Sequence, residues 1–388
     1  MFPTPHAIVV GLGTFGSAAL DALATRGVRV LGLDRFDPPH SLGSSHGRTR
    51  IIREAYFEDP LYVPMVRRAY SGWKALEADA AESLLHPCGG LMVGREEGPL
   101  VSGTLQSAEK HAIPHQLLDA SELSRRLPAL RVPDGHVGVL EERAGVLRVE
   151  PCIRALLARA RNRGAELRTG ERVTAWEAND GGVTVVTERD TYQAEVLILA
   201  AGPWMGGLLT PEAAARLRVE RQICLWVGAE LPDGWPVVVW EPDDDRILYT
   251  IPDLGDGFKV GLHHGGPETD PDGVERKVTP NEEERILAIL AHLIPGARAP
   301  IRDRSVCLYT NTPDHHFLLG RHPDHSRVVL AGGGSGHGFK FAPVIGELIA
   351  RLALEGDDEA VNSKDPGLDL PTTFTPSRVL DSSRDPAP

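Results

Sequence analysis

Cysteine is scarce. The 388 residues hold four, Cys88, Cys152, Cys224 and Cys307, and no two form a CxxC pair. That spacing argues against a structural zinc site and against a disulfide framework, so no metal centre is expected. The commonest fate of such a free cysteine is burial as a small hydrophobe. Basic residues are outnumbered, with 41 Lys and Arg against 54 Asp and Glu, a formal charge of −13. Nucleic acid and anionic membranes are therefore poor partners, since both are polyanions. A small anionic substrate is not excluded, because it responds to the local field. No apolar run approaches the roughly 20 residues that span a bilayer. The N-terminus lacks the regions of a secretory signal, and the last residues match no peroxisomal or retention address. The expectation is a soluble cytoplasmic protein, long enough for two domains.

What is present begins at Ala7-Ile-Val-Val10, a short run suited to a strand buried on both faces. Gly11, Gly13 and Gly16 follow, then an alanine-rich helix predicted from about Ser17 to Arg26, with Gly27 as its C-cap. A second buried strand, Val28 to Leu33, ends at Asp34. This is a βαβ unit with an acid after its second strand, the Rossmann fingerprint. The glycines let the backbone approach a pyrophosphate at the positive end of a helix, and Asp34 can accept from ribose hydroxyls. The same domain is predicted to resume in the helix Pro151–Arg163, the strands 166–168, 182–186 and 195–204, the strand at Val328-Val-Leu-Ala and the helix Pro343–Leu354. Alternating segments such as Arg221–Val227 and Val237–Trp240 predict antiparallel strands, and 282–293 a helix among them. The polar, proline-rich tail after Gly356 is expected to be ordered only in part.

Several constellations carry chemistry. In Phe258-Lys-Val-Gly-Leu-His263, alternation puts Lys259, Gly261 and His263 on one face and Phe258, Val260 and Leu262 on the other. The alternative is an edge strand with a solvated polar face. Cys307 and Tyr309 share a face of the next alternating run, opposite Val306 and Leu308. Tyr249, beside Ile247 and Ile251, reads as core as readily as site. Ser44 to Tyr56 carries Arg48, Arg50 and Arg53; the last two share a face if this turn is helical. An arginine fork suits a carboxylate or phosphate, and a surface basic cluster is the alternative. The turn from Gly332 to Lys340, with Gly334, Gly336 and His337, opens a helix whose N–H groups favour negative charge. Lys340 either strengthens that field or holds a substrate anion.

Gly11–Gly16, Asp34–Tyr56, Lys259–His263, Cys307–Phe317 and Ser335–Phe341 together resemble the monomeric sarcosine oxidase family, which includes N-methyltryptophan oxidase, within the wider glycine oxidase and D-amino acid oxidase group. CLYTNTPDHHF and SGHGFKF are the most specific stretches. The resemblance implies an α/β fold: a Rossmann-type FAD-binding domain from discontinuous segments (1–84, 146–216 and 306–388) and a substrate domain with a mixed or antiparallel sheet (85–145 and 217–305). It implies FAD joined through a thioether to Cys307. It implies that Lys259 promotes reaction with oxygen, that Arg53 and Lys340 bind the substrate carboxylate, that Tyr249 and His263 line the amine site, and that Arg50, Tyr309 and His337 lie near the flavin ring. Gly11, Gly13, Gly16, Asp34, Gly334 and Gly336 would then contact the cofactor.

The chain departs from relatives at Arg48, where they have an acid, at Gly320, at Gly334 and at Thr250-Ile-Pro252. Such changes are expected to admit a bulkier amine. The implied activity is oxidation of a secondary, N-alkyl α-amino acid, with oxygen as acceptor and a monomer as the working unit. Cyclic imino acids, fructosyl amino acids, a dehydrogenase with another acceptor and a non-catalytic flavin-binding subunit remain open.

Overall fold

The computed structural model describes residues 4–242, 246–297, 300–355, 365 and 367–380. The expectation for the tail therefore lies outside the described residues at 356–364, 366 and 381–388. Two large sheets dominate. The first has six strands in the order Leu318–His322, His325–Gly332, Val196–Leu199, β1 (Ala7–Val10), β2 (Val30–Leu33) and Glu166–Arg168. β1 runs parallel to both neighbours, Ala7 opposite Val30 on one side and Val196 on the other. Every residue of these three central strands is buried, as a sheet covered on both faces requires.

Helix α1 spans Thr14–Thr25, three residues earlier than predicted. Gly16, assigned to the turn before it, lies in its first turn. The reason is steric. A Cβ on Gly16 would lie 1.7 Å from Gly11 O, and one on Gly11 2.5 Å from Ala200 O. Only bare glycines let the helix start this close to the strand ends. Gly11 also has φ +87°. α1 packs against the helix Ala342–Leu354 with equal closeness, Gly346 facing the Ala18 carbonyl.

The second sheet has eight strands: Ile301–Asn311, Arg218–Val227, Phe258–His263, Ile247–Ile251, Val237–Trp240, Gly90–Arg95, His136–Glu141 and Gln116–Leu118. One parallel pair, Val237–Trp240 with Gly90–Arg95, makes it mixed. One face packs Leu225, Val260, Leu248 and Phe258 with Ile286, Leu290 and Leu293 of the helix Pro280–Leu293. The opposite face is mixed: Met92, Val139, Val237 and Ile251 form a second apolar cluster, and Lys259 and His263 lie beside it. Phe258–His263 is an interior strand, paired on both sides, and Lys259 is only 2% exposed. The solvated-edge alternative is thereby removed.

One local expectation fails. Arg50 lies on a strand, β3 (Thr49–Ile52), not on a helical turn, and Arg53 follows its end. β3 pairs with Gly145–Arg148, Arg50 opposite Leu147. Two β-branched isoleucines between the arginines favour this extended form. Residues three apart on a strand point to opposite faces, so the two guanidinium groups reach different neighbours.

Gly346→Ala is a test of the α1 contact. Alanine inside a helix ordinarily gains about 1 kcal/mol over glycine. Here the new methyl would lie 2.5 Å from Ala18 O. The expected result is net destabilisation of roughly 1–3 kcal/mol, read as a lower urea midpoint at unchanged m-value. A midpoint at or above that of the parent protein refutes the tight contact.

Candidate active site

A cavity of about 560 Å³ runs from the crossing of β1 and α1 to the inner face of the second sheet. Gly11, Gly13, Thr14 and Asp34 line one end, and Arg50, Tyr309, Gly334 and Gly336 the other. The N-cap of α1 is Gly13, which offers no side chain; of the first N–H groups, that of Thr14 donates to Ser45 Oγ at 2.9 Å. Asp34 is buried, and its Oδ2 accepts from Leu12 N at 2.6 Å and its Oδ1 from Phe36 N at 2.8 Å. Burial pushes its pKa up, opposed by those two N–H groups. A helix start with a glycine N-cap and a buried carboxylate with spare lone pairs, at one end of an elongated cavity, fit the pyrophosphate and ribose of a dinucleotide. Sequence reasoning missed Trp204 and the segments 171–174 and 270–272, which also line the cavity. They come from separate elements, Trp204 from the 3-10 turn Gly202–Leu208 and Val173 and Thr174 from the start of the strand Val173–Asn179, and carry no motif.

At the other end, Cys307 is buried, its Sγ 3.3 Å from Arg50 Nη2 and 3.5 Å from Ser44 O. Arg50 also donates to Thr49 O and Ser44 O, both at 2.9 Å. Lys259 Nζ donates to Gly47 O at 2.7 Å and to Thr49 O at 3.0 Å. Burial, with Arg50 adding to it, lowers the Lys259 pKa to about 8. Tyr249 packs against the cluster of Met92, Val237 and Ile251 and lines neither this cavity nor the smaller one at His337, its hydroxyl lying over Gly261, where a Cβ would be 2.5 Å away. Burial raises its pKa well above the ordinary value. His263 Nδ1 lies 3.5 Å from Tyr309 OH. Burial first, then His264 and His337, keeps His263 neutral. Gly336, φ +77°, fits beneath both rings; a Cβ there would lie 2.4 Å from Tyr309 and 2.9 Å from His263.

Arg53 and Lys340 form a second group, set apart from the large cavity. They meet around Tyr56, Arg53 stacking on its ring at 4.4 Å and Lys340 Nζ 5.1 Å from its centre. Arg53 Nη2 donates to Glu58 Oε2 at 2.6 Å. Burial works to raise the Glu58 pKa, but Arg53, His337 and Lys340 together outweigh it and leave the carboxyl low. Lys340 Nζ donates to Tyr56 OH at 3.1 Å and His337 O at 2.8 Å. His337 Nδ1 is 2.8 Å from the same hydroxyl, and its Nε2 3.0 Å from His315 O. Burial, then Arg53, lowers Lys340 to about 7, against the opposing pull of Glu58. Glu58 and His337 line a second cavity of about 380 Å³, with His263, His264, His315 and His316. Tyr56 and Glu58 were not singled out from sequence, although they follow Arg53 directly.

The departures expected to enlarge the substrate pocket are mostly elsewhere. A Cβ on Gly320 would strike Pro376 of the C-terminal segment at 2.6 Å. Thr250 is buried against Val238 O. Arg48 is bound to Asp303 and lies over Trp226. Only Gly334 of the four lines the large cavity.

Comparison with known proteins agrees with this geometry. The family model described as FAD dependent oxidoreductase matches residues 6–352. A monomeric sarcosine oxidase of Streptomyces avermitilis is 40% identical over 92% of this chain and 95% of its own. An N-methyl-L-tryptophan oxidase of Yersinia pestis is 33% identical over 89% and 94%. Among solved structures, NikD, an unusual amino acid oxidase essential for nikkomycin biosynthesis, superposes with a TM-score of 0.80 at 26% identity, covering 95% of this chain and 98% of its own.

The Lys340 group generates a pH prediction. Lys340 is charged below about pH 7 and neutral above it, whereas Arg53 stays charged throughout. An anion bound there favours the ammonium, so affinity is full at low pH and lost as pH rises. The dissociation constant of acetate, followed by flavin absorbance, should be level near pH 6 and climb by up to about tenfold per unit above 7. Lys340→Met should be weak and flat. A level wild-type profile from about pH 6 to 9 sinks the assignment.

Proposed function

The chain belongs to the DAO family of FAD-dependent oxidoreductases, and we propose that this enzyme oxidises secondary, N-alkyl α-amino acids, sarcosine being the simplest. When bound, FAD accepts a hydride from carbon and passes the electron pair to dioxygen. Arg53 and Lys340 hold the substrate carboxylate, and two anchors fix the orientation of the N-alkyl carbon. His263 and Tyr249 line the amine. A neutral imidazole suits them to a neutral amine, the form that gives up hydride. The product imine takes up water, yielding an aldehyde and a primary amino acid, while oxygen leaves as hydrogen peroxide.

Reduction of oxygen develops negative charge, and a fixed cation lowers that barrier. Lys259 supplies it. Cys307 tethers the flavin through a thioether, and Arg50 keeps the adjoining ring surface positive. The segments 1–84, 146–216 and 306–388 would form the FAD-binding domain and 85–145 and 217–305 would cover the substrate, except that the strand Ile301–Asn311 runs across the last boundary and its residues 306–311 stay in the second sheet. One observation carries this reading: Cys307 Sγ and Lys259 Nζ both reach the segment Ser44 to Thr49, whose Ser44 and Ser45 line the large cavity. Attachment and oxygen chemistry would thus meet at one place.

A panel of N-alkyl amino acids assayed for peroxide in air tests the function. Peroxide with N-methyl amino acids supports it; flavin bleached without peroxide points to another acceptor. Cys307→Ala should leave FAD extractable by acid precipitation, and flavin that stays with the pellet refutes attachment there. Lys259→Met should slow reoxidation by oxygen roughly 10²-fold and leave anaerobic reduction by substrate nearly unchanged. Equal slowing of both steps removes Lys259 from its oxygen role.

A further inference from the structure

Glu150, in the first turn of the helix Val149–Asn162, takes no part in the chemistry above. Its Oε1 accepts from Gly47 N at 2.9 Å and from Arg48 N at 3.1 Å. Among the described residues it makes no ion pair. The peptide unit joining Gly47 to Arg48 faces two charges. Its N–H points to the Glu150 carboxylate, and its C=O accepts from Lys259 Nζ at 2.7 Å. The peptide dipole is aligned with both.

The turn is tight. Thr49 N donates back to Gly47 O at 2.7 Å, and Arg48 between them has φ +67°. Side chains rarely adopt that conformation unless their surroundings impose it. Val149 N donates to Arg48 O at 2.8 Å, and the Arg48 guanidinium is bound to Asp303 and lies 4.5 Å from the centre of Trp226. Lys259 Nζ is 5.2 Å from the centre of the same ring. Cys224 faces Lys259 from the neighbouring strand and Cys307 from the strand beyond it, Arg50 faces it from β3, and Glu150 lies beside them. His46, which precedes the turn, is held neutral by burial, its pKa lowered to about 4.

We infer that Glu150 is a positioning residue for Lys259: it locks the Gly47–Thr49 turn so that two carbonyls aim the Lys259 amine. Its carboxylate beside Lys259 also favours the ammonium form. This rests on the reading of Lys259 as the residue that promotes oxygen reduction.

The test compares flavin-loaded Glu150→Ala, Glu150→Gln and Lys259→Met with the parent enzyme. Amide exchange of the 44–52 peptide is measured by mass spectrometry, and reoxidation by oxygen across pH. Glu150→Ala should speed exchange at Gly47 and Arg48 by about tenfold or more and slow reoxidation by about tenfold or more, with anaerobic reduction nearly unchanged. In Glu150→Gln an amide oxygen still accepts both N–H groups, so exchange should stay near the parent value. The pH above which reoxidation slows should fall, because the charge favouring the ammonium is gone. Unchanged exchange or unchanged reoxidation in Glu150→Ala overturns the inference. Should that variant not fold, an unshifted pH midpoint in Glu150→Gln overturns it instead. If Lys259→Met reoxidises as fast as the parent, the oxygen reading falls, and exchange alone then decides whether Glu150 holds the turn.

Discussion

Three cations, Arg53, Lys259 and Lys340, are buried at this site, with Arg50 half-buried beside them. Removing a charge from water is costly unless partners replace the solvent. The protein answers mainly with backbone. Lys259 takes two carbonyls, Arg50 two more, and Lys340 a carbonyl and a phenol. Only Glu58 makes a direct ion pair within the group. Carbonyl dipoles hold a cation without cancelling it, so the field is most positive below about pH 7, where Lys340 and Lys259 are both charged. Much of the local architecture, including the strained turn at Arg48 and the strand β3, serves to bring those carbonyls to these nitrogens.

The βαβ unit was readable because its determinants are local: four apolar residues, spaced glycines and an acid after the second strand. The same holds for Phe258–His263, whose alternation correctly separated Lys259 from the core. α1 began earlier than predicted because its start is set by clearance between Gly16 and Gly11, a tertiary contact. The Arg50–Arg53 spacing suggested a helical face, yet pairing with Gly145–Arg148, about a hundred residues away in sequence, makes the segment a strand. Tyr56, Glu58 and Glu150 were invisible for a related reason. Nothing around them in sequence announces a role; each matters through a partner brought close by folding.

The departures from relatives separate in the same way. Read from sequence, Gly320 and Thr250 suggested a roomier pocket. In the fold, one makes space for the C-terminal segment at Pro376 and the other packs between strands. A smaller residue enlarges a site only when its missing atoms would have pointed into it, and of these positions Gly334 alone lines the large cavity.

The ion pair between Arg53 and Glu58 has a further consequence. On the proposed role of Arg53, an incoming acid does not meet a bare guanidinium, because the Glu58 carboxylate is already paired with it. Its net affinity is then a difference between two similar attachments, and a departing product is replaced at once by the internal one. Such counter-ion exchange favours fast turnover over tight retention.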